Sequence, residues 1–154
     1  PDYHTAVVTN MLRGGAFVSR INMKLREEKG VTYGARSSFQ FLRQAGPFSV
    51  QASLQSDATA ESVRDVLIEL DALAEARPVT PEELESAREA LTRGYARGFE
   101  TAEQVARAAA QLALYELPDD TFDVFSACID QVTADDVTAL ARRWLAADQM
   151  QAVV

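Results

Sequence analysis

Early in the chain, the hydrophobic residues recur first with the spacing of a helix and then with the spacing of a strand. Phe17, Ile21 and Leu25 recur every four residues, which predicts one buried stripe along a helix over about 16–29. Gly30 ends this helix, and the apolar residues then recur every second position, as in a β-strand. The pattern therefore predicts a helix, a tight stop and a strand in direct succession.

A β-hairpin is predicted next, with strands over 32–42 and 47–55 joined by a turn at 43–46. The second strand places four apolar residues on one face: Phe48, Val50, Ala52 and Leu54. Serine and glutamine side chains alternate with them on the other face. This polar face fits a surface that meets water, and it fits equally a wall that contacts a peptide through amides and hydroxyls.

The direction of the Tyr33 side chain depends on how regular the first strand is. Strict alternation puts Tyr33 on the apolar face together with Phe39 and Phe41. A bulge near Gly34 would release Tyr33 from that face. Without a bulge, Tyr33 is a core residue and cannot contact a ligand.

The remainder of the chain is predicted to be mainly helical. Caps, prolines and apolar stripes predict helices over 2–12, from 57 or 59 to 75, and over 80–99, 101–114, 122–129 and 133–145. The inward stripe of the last helix includes Trp144, and residues 150–154 predict a terminal strand. The fold class is α+β, with a mostly antiparallel sheet and helices packed on its apolar face. Residues 1–154 form one domain, which we expect to be a piece of a larger chain.

Composition narrows the classes of partner. Hydrophobic residues make up 47 % and charged residues 25 % of the chain, which is the profile of an ordinary globular domain. The net charge of −8 and the absence of a basic cluster argue against binding of nucleic acid. The acidity of the chain is compatible with basic peptide segments as ligands. No apolar run is long enough for a membrane span, and Cys128 has no second cysteine to pair with. We expect a soluble protein of the bacterial cytoplasm or periplasm, and the sequence does not decide the compartment.

Arg26 and Tyr33 are the candidate site residues. Arg26 lies one residue past the apolar stripe and Tyr33 lies just past the helix stop, so both can approach one rim of the fold. A guanidinium fork and a phenol hydroxyl suit a peptide backbone or a carboxylate. The alternative is a helix–turn–strand corner at which both side chains are solvated or cap the helix.

The run GG-A-F-V-SR-I-N-M-K-LRE-E-K-G-V-T-Y-G, residues 14–34, resembles the non-zinc domain of the pitrilysin and mitochondrial processing peptidase family. Weaker resemblance continues through residues 80–91 and 132–145. Members of this family are zinc metallopeptidases with an inverted H-x-x-E-H motif. The resemblance implies that Arg26 and Tyr33 hold the substrate backbone, and that Gly14 and Gly15 lie along the substrate path.

The chain departs from the family in one respect, because its only histidine is His4 and H-x-x-E-H is absent. Zinc is therefore expected in a homologous partner half, on the same polypeptide or on another subunit. By resemblance, the chain is the substrate-binding half of a peptidase and carries neither a metal ligand nor a catalytic residue. The alternative is a catalytically inert scaffold subunit, like the core proteins of a respiratory complex.

Overall fold

Seven α-helices and two β-strands make up the part of the chain that the structure, a computed structural model, describes, residues 2–154. The helices are α1 (Tyr3–Asn10), α2 (Arg20–Asn22), α3 (Thr59–Ala74), α4 (Pro81–Tyr95), α5 (Ala102–Tyr115), α6 (Phe125–Gln131) and α7 (Ala134–Trp144). The strands are β1 (Thr32–Phe39) and β2 (Phe48–Leu54). Wider π-helical turns continue α1 over Met11–Gly15 and α2 over Met23–Glu28. The helices and the antiparallel strand pair confirm the α+β prediction.

Three of the helices begin with a capping box, each at a threonine that the sequence predicts as the helix cap. Thr80, Thr101 and Thr133 each accept a hydrogen bond from the backbone N–H three residues on. The side chain of that third residue accepts a bond from the threonine backbone in return. Two backbone donors at each helix start are thus satisfied locally, so these boundaries follow from short sequence motifs.

The two strands form an antiparallel hairpin with one irregularity. Thr32 lies opposite Leu54 and Ala35 lies opposite Ala52, so Tyr33 and Gly34 together face the single residue Ser53. This is a β-bulge, at the place where the sequence required one for Tyr33 to leave the apolar face. From Ala35 onward the pairing is regular.

Two groups of buried side chains hold the elements together. The larger group joins α1, α4, α6 and α7 through residues such as Val8, Ile129 and Val137, which are fully buried. The smaller group consists of Ile21, Leu25 and Ala35 and joins α2 to the inner face of the hairpin. The smaller group fixes α2 against β1.

Three expectations from the sequence are wrong. Phe17 is 64 % exposed, because α2 begins only at Arg20 and the residues before it form a turn. Trp144 is half exposed beside Arg143, and the next residue, Leu145, is buried in its place. Residues 151–154 have no strand partner among the described residues and are exposed.

Arg20 connects the start of α2 to the loop before α4. Its Nε and Nη2 atoms donate to the two Glu83 carboxylate oxygens at 2.8 and 2.6 Å. Its remaining donors reach the carbonyl oxygens of Arg77, at 2.6 Å, and Pro78, at 3.1 Å. Because Glu83 is also the third residue of the α4 capping box, one carboxylate joins the helix cap to the buried guanidinium. This bond from Arg20 is the main reason that the pKa of Glu83 lies below its ordinary value.

We predict that Glu83→Gln flattens the acid limb of the stability curve. Because the folded pKa of Glu83 is lowered, its contribution is present above the unfolded pKa and is lost as pH falls through the folded pKa. At neutral pH the variant should lose about 1–2 kcal/mol of unfolding free energy, since glutamine keeps the helix cap but not the charge. Urea denaturation between about pH 7 and pH 3 measures both effects.

The matched control is Glu89→Gln, which removes one carboxylate from the surface pair with Arg93 on the same helix. It should change the unfolding free energy by less than about 0.5 kcal/mol. An acid limb that is equally steep in wild type and Glu83→Gln would contradict the assignment.

Candidate functional site

An open groove of about 890 Å³ lies where the end of α1, the α2 helix and the hairpin meet. Its helical side is formed by Asn10, Gly14, Gly15, Ala16, Phe17, Asn22 and Arg26. Its hairpin side is formed by residues 33–37 of β1 and 51–53 of β2. The four residues singled out from the sequence, Arg26, Tyr33, Gly14 and Gly15, all line this one groove.

Arg26 is held in the groove by an aromatic ring. Its guanidinium carbon lies 3.9 Å from the centre of the Phe17 ring, which is a cation–π contact. The Nη1 atom lies 3.2 Å from Glu27 Oε1, yet it is a buried donor that forms no hydrogen bond within the described chain. Arg26 also lines the groove, where a guanidinium can donate to an acceptor that the groove brings to it.

Tyr33 points to solvent because of the bulge. Its exposed fraction is 101 %, so nothing in the described chain covers its ring. The bulge is held on one side by Asn22, whose side-chain amide donates to Ala35 O at 2.9 Å and accepts from Ala35 N–H at 2.7 Å. On the other side the Thr32 hydroxyl accepts from Gly34 N–H at 3.1 Å. The Tyr33 hydroxyl is therefore available to a ligand at the groove.

Gly14 allows the end of α1 to approach the backbone of β1. A Cβ atom at Gly14 would lie 2.7 Å from Ser37 N and 2.6 Å from Ser37 Oγ, closer than real contacts permit. Nearby, Ser37 Oγ donates to Asn10 Oδ1 at 2.8 Å. The glycine thus serves the packing of helix on strand, and Gly15 beside it forms part of the groove surface.

Asn22 and Arg36 belong to the site but were not identified from the sequence. Asn22 sits inside a helical pattern, where a single asparagine has no distinctive spacing. Arg36 looks like any solvent-facing strand residue. Only the packing of α2 against β1, and the wrapping of the groove around the hairpin, gives these two side chains their positions.

The donor set of this chain does not fit a zinc site of two histidines and a glutamate. His4 lies on α1 between the rings of Tyr3 and Phe125, at 5.1 and 5.8 Å. Among residues 2–154, no three His, Cys, Asp or Glu side chains are grouped so that they could hold a metal ion. What the groove offers instead is hydrogen-bond donors.

Comparison with known proteins places the chain in a family. Residues 1–91, more than half of the chain, match the model of the peptidase M16 inactive domain. The chain belongs to the peptidase M16 inactive domain family. The resemblance in residues 14–34 to the non-zinc domain of pitrilysin-type peptidases is thereby confirmed. No curated protein matches the sequence.

Solved structures share the fold of this inactive domain. A peptidase M16 inactive domain from Pseudomonas fluorescens superimposes with a TM-score of 0.86 at 23 % identity, over 97 % of this chain and 35 % of that chain. The inactive peptidase domain of a Bordetella parapertussis protein described as a zinc protease gives 0.79 at 19 %, over 94 % and 78 %. A chain of complex III2 from Candida albicans gives 0.78 at 14 %, over 93 % and 36 %.

The present chain spans about a third of the length of the Pseudomonas fluorescens chain. The Pseudomonas fluorescens chain is therefore longer than the domain that it shares with this chain. At these identities the superpositions establish the fold of the inactive domain. In residues 2–154, no helix is both long and apolar enough to cross a membrane.

We predict that Gly14→Ala lowers the unfolding free energy by about 1–3 kcal/mol, as overpacking of a tight contact does. The added methyl group meets a backbone nitrogen of Ser37, which cannot turn away as a side chain could. Gly94→Ala, in an open part of α4, is the matched control and should stabilise by about 0.5–1 kcal/mol. Urea denaturation measures both, and equal stability of Gly14→Ala and wild type would show that α1 does not need this approach.

Proposed function

We propose that this inactive domain is the substrate-binding half of a zinc peptidase, acting together with a homologous zinc-bearing half. The observation that carries the proposal is the groove that joins Arg26 and Tyr33, with Gly14 and Gly15 on its wall. Zinc is expected in the partner half, since the donor set of the described residues does not fit it. The partner is a second domain of the same polypeptide or another subunit.

In this proposal an extended peptide lies along the groove. The Arg26 fork and the Tyr33 hydroxyl donate to a peptide carbonyl oxygen, and more strongly to the oxyanion that this oxygen becomes during hydrolysis. Phe17 keeps the guanidinium in place before the peptide arrives, so little order has to be imposed on binding. Gln51 and Ser53 offer further hydrogen-bonding groups along the hairpin side.

Arg26→Ala tests the proposal directly. When the chain is combined with its zinc-bearing half, we expect the rate of peptide hydrolysis to fall about 100-fold, the usual effect of losing one pre-placed oxyanion donor. Tyr33→Phe removes only the hydroxyl and should reduce kcat by about tenfold. Binding of a fluorescent peptide to this chain alone, followed by anisotropy, should weaken in both variants.

Arg107→Ala is the control, because Arg107 is an exposed residue of α5 that pairs only with Glu103 and lies outside the groove. The thermal unfolding temperature of Arg26→Ala should equal that of wild type. A lower rate of hydrolysis would then come from the lost contact with the peptide and not from unfolding of the variant. Peptide hydrolysis by Arg26→Ala within twofold of wild type would remove the proposed role.

A catalytically inert scaffold subunit is the second candidate. It is favoured by one observation: a chain of complex III2 from Candida albicans has the same fold. A scaffold has no need of the Arg26 guanidinium or the Tyr33 hydroxyl, so neither substitution would alter peptide binding. The same pair of variants therefore separates the two functions.

A further inference from the structure

The charge of the groove is opposite to that of the chain. The chain as a whole carries a net charge of −8. In the described part of the molecule, the charged side chains that line the groove are Arg26 and Arg36, and no aspartate or glutamate lines it. An acidic surface around a basic hollow directs a negative group of a ligand into the hollow.

The positive charge of Arg36 has fewer partners nearby than the positive charge of Arg26. Arg26 lies near the Glu27 carboxylate and over the Phe17 ring, as described above. Arg36 stands on β1 opposite Gln51, and none of the ion pairs found among the described residues includes it. Most other arginines of the chain do have such a pair, so the charge of Arg36 remains available at the groove.

The surroundings of Arg36 also fit a single carboxylate side chain of a ligand better than they fit a polyanion. Its neighbours on the same face of the hairpin are uncharged, since Ser38 and Ser49 lie in register and their hydroxyls are 3.2 Å apart. On this face of the hairpin, the basic side chain of Arg36 thus has uncharged neighbours outside the groove. A chain of phosphates would extend beyond it onto a protein of net negative charge, whereas a single carboxylate would not.

We propose that the groove prefers peptides with an acidic side chain, and that Arg36 is the residue that recognises its carboxylate. The proposal rests on the proposed function, because it assumes that the groove binds an extended peptide. Arg26 and Tyr33 hold the peptide backbone in any sequence, and Arg36 adds a two-pronged bond to an aspartate or glutamate beside it. The overall acidity of the chain fits basic peptide segments, but the groove itself favours acidic ones.

The test compares short fluorescent peptides that are identical except for one central residue, Glu, Gln or Lys. Wild type should bind the Glu peptide about three- to fivefold more tightly than the Gln peptide, and the Lys peptide least tightly. Arg36→Gln should abolish this preference, because it removes the extra affinity for the Glu peptide. Arg36→Glu should reverse the preference in favour of Lys. The preference should shrink as salt is raised from about 0.05 to 0.5 M.

Arg64→Gln is the matched control, since Arg64 is an exposed arginine of α3 outside the groove and also has no ion pair among the described residues. It should keep the full preference for Glu. Equal affinity of wild type for the Glu and Gln peptides, or an equal preference in Arg36→Gln, would overturn the role of Arg36. In that case, weaker binding of the Gln peptide by Arg26→Ala would leave the proposed function standing. Failure of wild type to bind any of the three peptides would overturn both.

Discussion

The two hydrogen bonds between the Asn22 amide and the backbone of Ala35 are the constraint on which the site depends. They satisfy a donor and an acceptor of β1 where the strand has an extra residue. Asn22 thus acts as a short substitute for a neighbouring strand directly after the bulge at Tyr33 and Gly34. The bulge turns Tyr33 outward, while the same helix presents Arg26 one turn later. A single buried amide therefore sets the relative position of both candidate residues.

Two arginines of one short motif have opposite roles in this fold. Arg20 is buried, and its donors are taken by Glu83 and by two carbonyl groups of the loop before α4. Arg26, six residues later, keeps a buried donor without a partner. Removing a charge from the hydrogen-bonded network of Arg20 costs stability, whereas the contacts of Arg26 are the neighbouring Glu27 carboxylate and the Phe17 ring at the wall of the groove. The first arginine fixes the helix, and the second lines the groove.

The groove also separates the local charge from the total charge. The net charge of −8 gives no information about the groove, whose charged lining residues in the described part of the chain are Arg26 and Arg36. Screening limits the reach of surface charges to about 8–10 Å at physiological salt, so the nearest groups set the electrostatic potential in the groove. The composition of the chain and the chemistry of its site can therefore point to ligands of opposite sign.

The sequence by itself determined the α+β class, the capped starts of α4, α5 and α7, the stop at Gly30 and the candidates Arg26 and Tyr33, because these depend on motifs within a few residues. It misplaced Phe17 and Trp144, since a helical stripe does not reveal where a helix begins or which of two adjacent residues faces the core. The register of β1, the capture of Ala35 by Asn22 and the place of Arg36 came only from the tertiary structure. Each of these joins segments far apart in the chain or hinges on one extra residue, and local periodicity contains no information about either.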